Sequence, residues 1–262
     1  MDADCSNEPL SGRTLVITRP RHVLDSLRGK LERLGATVVP CPAIRIVFPS
    51  DAEVARLVEP GEPYTWIVFT SSNAVRSVAG LYAGGRFGGR VAVVGQATKR
   101  EAESCGFKVD LVPEKATGKE LGRRLSAVLG NRDRVLIPRS DKADDRLLKA
   151  LEPSGAYLNA VVTYRTEAEN PSAGEALRSF IRSGRLPDGV LFASPSAVRG
   201  LEMVLGAGLF AELLRRAAVF SIGPSTSKAL SSGGWPVAAE AQPHTEEGLL
   251  NAVVSFFEVA KG

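Results

Sequence analysis

Phe69-Thr70-Ser71-Ser72-Asn73-Ala74-Val75-Arg76 decides the fold, because the chain writes it twice. Phe192-Ala193-Ser194-Pro195-Ser196-Ala197-Val198-Arg199 follows 123 positions later, with five of the eight residues identical. Each copy closes an apolar run, Trp66-Ile67-Val68-Phe69 and Gly189-Val190-Leu191-Phe192. Each then turns polar and resumes apolar residues at helical spacing. That pattern is a buried strand, a Ser-rich turn and a helix with N-cap residues in its first turn. The first N–H groups of such a helix have no intrahelical acceptor and sit at the positive end of its dipole. An anionic ligand suits them.

The duplication extends outward. Val93-Val94-Gly95-Gln96-Ala97-Thr98-Lys99 matches Ser221-Ile222-Gly223-Pro224-Ser225-Thr226-Ser227, and Thr117 matches Thr245, both at an offset of 128. Upstream, Val16-Ile17-Thr18-Arg19-Pro20 matches Leu136-Ile137-Pro138-Arg139-Ser140 at an offset of 120. Small loop insertions explain the drift. A period near 120 residues is too long for a solenoid and suits a duplicated half or domain.

Between these matches, short apolar runs alternate with helical patterns through almost the whole chain. The spacing predicts strands at 14–18, 37–39, 65–69, 90–94, 109–112, 134–137, 189–192, 218–222 and 237–239. Strand–helix alternation of this kind makes a parallel sheet covered on both faces. Two stretches break the rhythm. Ala43-Ile44-Arg45-Ile46-Val47-Phe48 and Ala160-Val161-Val162-Thr163-Tyr164-Arg165-Thr166 read as exposed ribbons, the first after Pro40-Cys41-Pro42, which cannot be helix interior. They point to a double crossover with five parallel strands in each domain. One domain is discontinuous, 1–40 plus 168–262; the other is continuous, 47–160; 41–46 and 161–167 form the linker ladder. A simple cut at the repeat boundary near Gly130 is the rival.

The 262 residues carry 44% hydrophobic and 24% charged side chains and a net charge of +4, an ordinary globular composition. With an isoelectric point near 9.1, the chain is mildly basic. Its 6% aromatic content gives little for stacking on bases, so a nucleic-acid partner is not expected. No apolar run is long enough to span a membrane. Cys5, Cys41 and Cys105 are odd in number and widely spaced, which reads as reduced thiols without a disulfide framework or a zinc site. Met1 to Ser11 is short, acidic and polar, unlike a signal peptide. An aqueous, reducing compartment is expected: the cytoplasm, or the plastid stroma if a transit peptide has been removed.

The usual catalytic signatures are missing: no G-x-G-x-x-G, Walker A, G-x-S-x-G or C-x-x-C occurs, and His22 and His244 lie far apart. What remains is six strand-to-helix turns rich in Ser, Thr, Gly and Arg. They contain Thr18-Arg19-Pro20-Arg21, Thr70-Ser71-Ser72-Asn73, Gly95-Gln96-Ala97-Thr98, Pro138-Arg139-Ser140, Ser194-Pro195-Ser196 and Gly223-Pro224-Ser225-Thr226. Ligands of open α/β sheets bind at the carboxyl ends of the strands, where all six lie. Ser and Thr there also serve as plain helix caps, worth about 1 kcal/mol each. Six such turns on two domains favour a shared anion-binding cleft.

In this order and spacing, these pieces, with Val162-Thr163-Tyr164, resemble the uroporphyrinogen-III synthase family over residues 12–257. The resemblance implies two flavodoxin-like α/β domains joined by a two-stranded ladder. It also implies an activity: closing hydroxymethylbilane, a linear tetrapyrrole with eight carboxylates, to uroporphyrinogen III. Water is lost and the fourth ring inverts through a proposed spiro intermediate, with no metal or cofactor. The substrate cyclises unaided to the wrong isomer, so the task is mainly orientation. The family's ligand-contacting threonines fall on Thr98 and Thr226, its linker tyrosine on Tyr164, and its serine turn on Ser194 and Ser196, with Ser71 and Ser72 as counterparts. Asn73, Gly95, Gln96, Gly223, Ser225, Arg19 and Arg139 complete the expected substrate contacts; Gln96 stands where the family more often has Asn or another small polar residue. Tyr164 is the candidate proton donor. The expected partner is the octacarboxylate alone, with no nucleic acid and no membrane, on a monomeric chain. A non-catalytic two-domain ligand sensor is the alternative.

Overall fold

The structure is a computed structural model that describes residues 8–58 and 61–259. In chain order the elements are β1 (Thr14–Ile17), α1 (Arg21–Arg33), β2 (Thr37–Pro40), β3 (Ile44–Val47), α2 (Asp51–Leu57), β4 (Trp66–Phe69), α3 (Ser72–Tyr82), β5 (Arg90–Val93) and α4 (Gln96–Ser104). Then come α5 (Gly118–Ser126), β6 (Arg134–Ser140), α6 (Arg146–Leu151), β7 (Tyr157–Ala168), α7 (Glu175–Arg182), β8 (Gly189–Phe192) and α8 (Pro195–Leu205). The chain finishes with α9 (Ala207–Arg216), β9 (Ala218–Ser221), α10 (Pro224–Ser232), β10 (Ala239–Glu240) and α11 (Glu246–Val259). It divides into two compact units: Met1–Arg45 with Glu167–Gly262, and Ile46–Thr166.

In the discontinuous unit the sheet order is β10-β9-β8-β1-β2, with every neighbouring pair parallel. Counted as the chain meets them, this is the flavodoxin-like order 2-1-3-4-5. Side chains alternate across the sheet as period 2 requires. Val16, Val190, Phe192 and Val219 enter one core layer with Leu201, Phe210 and Leu213. Leu15, Ile17, Leu191 and Phe220 enter the other, with Leu24, Leu27, Leu249 and Phe257.

The continuous unit has the order β3-β7-β6-β4-β5, with an isolated parallel bridge from Ala92 to Leu111 beyond β5. Its central strands also divide between two layers: Ile67, Phe69 and Leu136 on one, Trp66, Val68, Val135 and Ile137 on the other. Under the repeat offsets, β4, β5 and the bridge at Leu111 correspond to β8, β9 and β10, while β6 and β7 correspond to β1 and β2. Apart from β3, which adds an edge strand beside β7, the two units therefore share one spatial strand order and differ in where the chain is cut. Each copy of the repeat runs strand pair, then strand triplet. Each unit joins the pair of one copy to the triplet of the other.

Two strand readings need correction. The expected strand at 109–112 shrinks to the single bridge at Leu111, because it is an edge and Pro113 behind it has no N–H to continue a ladder. The ribbon at 160–166 is the middle of a twelve-residue strand, β7, which pairs with β6 from Arg134↔Tyr157 through Ser140↔Tyr164.

The same helix contact recurs in both units with different chemistry. A Cβ on Gly200 would stand 2.2 Å from the Ala43 carbonyl oxygen and 2.8 Å from Ile44 Cγ2, so α8 rests directly on the chain leaving β2. The corresponding residues in the other unit are Ser77 and Thr163, both buried. Ser77 Oγ donates to the Ala74 carbonyl at 2.8 Å and meets Thr163 Oγ1 at 2.6 Å. Gly200→Ser should therefore overpack its site and cost about 1–3 kcal/mol. Urea unfolding measures this, and an unshifted midpoint would show that α8 can move away.

Candidate functional site

Three kinds of helix start line the carboxyl ends of the strands, in the same order in each unit. After the central strand comes a serine cap. Ser71 Oγ accepts the Ala74 N–H at 3.1 Å, and Ser194 Oγ accepts the Ala197 N–H at 3.2 Å. After its neighbour comes a glycine cap, Gly95 on α4 and Gly223 on α10, with no side chain to cover the first N–H groups. Beyond that comes a threonine cap. Thr117 Oγ1 accepts from Glu120 N at 3.2 Å, and Thr245 Oγ1 accepts from Gly248 N at 3.1 Å.

Close approach favours glycine at both positions, more strongly at Gly95. A Cβ on Gly95 would lie 2.9 Å from Ala116 Cβ, and one on Gly223 would lie 3.2 Å from His244 Cγ. The turn before each threonine cap thus presses on the glycine cap beside it. Strand neighbours are about 5 Å apart, so serine and glycine caps within a unit form one row of donors. Ser72, Asn73, Ser194 and Ser196 are half-buried, while Gln96 and Ser225 are exposed. In the continuous unit a cavity of about 370 Å³ opens at these ends, lined by Thr70, Val94, Thr117, Gly118, Asp144 and Arg146 among others.

Thr98 and Thr226 occupy the third position of the glycine-capped helices and are 4% and 1% exposed. The Thr226 hydroxyl is buried and meets no hydrogen-bond partner. A buried hydroxyl left unpaired costs about 1–3 kcal/mol, which a ligand oxygen would recover. Thr226→Val should therefore leave stability unchanged or raise it, while weakening ligand binding. Calorimetry on the variant with and without ligand checks both halves, and a destabilised variant with normal affinity would end this reading.

Tyr164 lies on β7, 6% exposed, within the apolar layer that holds Phe69 and Val75. Its ring is 6.1 Å from that of Phe48, and its hydroxyl is 2.9 Å from Ser71 Oγ. Burial pushes its phenol above the ordinary tyrosine range; the Ser71 hydrogen bond pulls it back, and the nearby Asp141 carboxylate pushes up again. The phenol therefore holds its proton throughout the neutral range. Asp141 accepts from the Thr166 N–H and from Ser140 Oγ, which hold its carboxyl low against the opposing effect of burial.

The arginines expected at the strand ends are engaged by acids of their own units. Arg19 pairs with Glu246 at the start of α11, and Arg21 with Glu169 at 3.0 Å. Arg139 pairs with Asp145 at 2.9 Å and donates to the Ala143 and Asp144 carbonyls. Burial alone would raise the Glu246 carboxyl, but Lys30 at 2.8 Å, with Arg19 and Ser26, holds it below the usual range. A depressed acid stabilises the fold above the ordinary glutamate value of about 4.3 and loses that contribution as pH falls through its folded value. Glu246→Gln should cost about 1–2 kcal/mol at neutral pH. The gap to wild type should close as denaturation curves are taken below about pH 4; a gap that persists there would exclude charge as its source.

The sequence reading missed Glu246, whose partners are more than 200 positions away. Thr18, in the first of the six turns but not among the expected contacts, is fully buried, and its hydroxyl donates to the Leu191 carbonyl at 2.8 Å where β1 meets β8. The match of Thr117 with Thr245 was the signal for the third cap. Burial pushes the Cys41 thiol up to about 12, which makes it unreactive, and Cys105 is half-buried. Cys5 lies outside the described residues. Among the described residues no helix is long and apolar enough to cross a membrane.

Two α/β units built on mainly parallel sheets, each with a serine-capped, a glycine-capped and a threonine-capped helix start at its strand ends, define a duplicated doubly wound protein. The family model "Uroporphyrinogen-III synthase HemD" matches residues 25–251, and the chain belongs to that family. It is 27% identical to the uroporphyrinogen-III synthase of Synechococcus elongatus, over 95% of this chain and 97% of that one. Its fold is similar to a solved Thermus thermophilus uroporphyrinogen III synthase, with a TM-score of 0.62 and 17% identity, covering 96% of this chain and all of the other. The Helicobacter pylori uroporphyrinogen-III synthetase aligns with a TM-score of 0.63 and 17% identity, over 93% and 99% of the two chains.

Proposed function

We propose that this chain closes hydroxymethylbilane to uroporphyrinogen III, with loss of water and inversion of the fourth ring. The observation that carries the reading is a family match that runs through both repeat copies. The sensor alternative is not favoured by that match. The row of helix starts supports it chemically, since eight carboxylates need many donors and few obligatory acids or bases.

In this reading Ser71, Ser72, Asn73, Gly95, Gln96 and Thr98 receive carboxylates on one unit. Ser194, Ser196, Gly223, Ser225 and Thr226 do so on the other. Backbone N–H groups at glycine caps fix position without a proton-transfer role. Arg19 and Arg139 contribute as parts of ion pairs, so each donates guanidinium N–H groups with its charge already balanced. Holding the linear chain in one conformation selects the inverted isomer over unaided closure. The reaction runs in the cytoplasm, or in the plastid stroma of a photosynthetic source, on a monomeric chain.

Departure of the substrate hydroxyl needs a proton, and Tyr164 is the donor in this reading. The leaving oxygen takes the phenol proton as the carbon–oxygen bond breaks, and the proton lost later from the new ring junction restores the phenol. Burial of Tyr164 supports a retained proton, and Ser71 supports its alignment. A positioned acid contributes about 10²–10⁴-fold.

Freshly prepared hydroxymethylbilane, with isomers I and III resolved after oxidation, tests the function. Isomer III in excess is expected; isomer I alone, at the uncatalysed rate, would refute it. Tyr164→Phe should keep the fold and product affinity while turnover falls at least about tenfold, roughly 1.4 kcal/mol. Near-normal turnover in that variant would leave Tyr164 a packing residue with its hydroxyl on Ser71.

A further inference from the structure

The two copies of the repeat differ sharply at one place, the seam between the serine-capped and glycine-capped helices. In the continuous unit Arg76 on α3 reaches Glu101 on α4 through two hydrogen bonds, at 2.7 and 2.9 Å, and the pair spans the seam. At the offsets already established, Arg76 corresponds to Arg199 on α8 and Glu101 to Ala229 on α10. The arginine is kept and its acid is replaced by a methyl group.

The consequence is a groove of about 500 Å³ in the discontinuous unit, bordered by Arg199, Ala229, Lys228, Ser225 and Trp235 among others. Neither Arg199 nor Lys228 has an ion pair or hydrogen bond among the described residues. Glu202 is the acid on this groove, and it pairs with neither cation. Trp235 closes one end, stacked edge-on against Phe210 with ring centroids 5.6 Å apart. Pro195 and Ser225 mark the other end, in the first turns of α8 and α10. Arg199 and Lys228 each lie about one helical turn, roughly 5.4 Å, further along.

We infer that this groove is a carboxylate subsite, in which Arg199 and Lys228 hold a carboxyl-bearing arm of the tetrapyrrole. The inference rests on the proposed substrate class and assigns to it two residues outside the strand-end turns. An arm bound at the first turns of α8 and α10 extends along the seam, with its methylenes against Ala229 and its carboxylate between the two cations. The other unit has no such subsite, because Glu101 already occupies the arginine. The duplicated turns are therefore unequal, and an inequality of this kind distinguishes one end of a linear substrate from the other.

The test restores the missing partner. Ala229→Glu places in the groove the acid that Glu101 supplies in the other copy, and Ala229→Gln is its uncharged counterpart. KM and kcat for isomer III formation are measured from hydroxymethylbilane, together with fluorescence titration of uroporphyrin III, a stable octacarboxylate. The double variant Arg199→Gln/Lys228→Gln should raise KM and the uroporphyrin Kd about tenfold, with kcat within about twofold. Ala229→Glu should weaken both by clearly more than the isosteric Ala229→Gln, and the difference between the two should shrink at high salt. An unchanged KM and Kd in the double variant, or equal losses from Glu and Gln at 229, would overturn the subsite. If wild type forms isomer I alone, the proposed reaction fails, and the uroporphyrin titration still decides the groove on its own.

Discussion

Three parallel pairs, Leu15↔Gly189, Val16↔Val190 and Ile17↔Leu191, carry the discontinuous unit. They join stretches of chain more than 170 positions apart, and the ends of the junction are fastened by side chains. Asp188 accepts from Thr14 N at 2.8 Å and from Arg13 Nη1 at 3.0 Å, and Thr18 Oγ1 donates to the Leu191 carbonyl at 2.8 Å. Gly189 is required inside this junction, since a Cβ there would meet Phe220 at 2.8 Å and Leu15 at 3.0 Å. β1 to β8 is also where the strand order reverses. The same pairing that closes the sheet thus creates the crevice where ligands of doubly wound sheets bind.

The chemistry follows from helix ends. A helix start covered by serine, one bare at glycine and one covered by threonine recur in the same order after successive strands. The bare start leaves its first N–H groups without a side-chain acceptor, and the buried hydroxyl of Thr226 at its third position has no hydrogen-bond partner. The cations nearby are mostly neutralised by acids of the same unit, as Arg19 is by Glu246. The net charge is only +4.

Most of the architecture was legible because it depends on local pattern. Strand ends at Phe69 and Phe192, the helix start at Ser72, the start of α8 to within one residue, and the repeat itself are written in consecutive residues. The features that escaped depend on distant partners. β7 looked like a ribbon because its pairing with β6 has no signature in its own residues. The weak edge at Leu111 looked like a full strand because apolar composition alone does not count hydrogen bonds. Arg19 looked like an open ligand contact because Glu246 comes from the far end of the chain, and Arg139 did because the turn that brings Asp145 back onto it has no signature of its own. Tyr164 was found through its family position, whereas its contact with Ser71 required the fold.

The exchange of halves between repeat copies has an ancestral meaning. One copy alone, a strand pair followed by a strand triplet, contains every element of a unit, with its join made elsewhere. Two separate single-copy chains would satisfy each other by trading pairs, as a domain-swapped homodimer. Joining two such chains at the exposed turn around Gly130, where a Cβ would meet no neighbour, would give this connectivity. Fusion also frees the copies from symmetry. Once one polypeptide carries both, Glu101 can stay in the first while Ala229 stands at the matching position of the second, so the two copies are free to diverge.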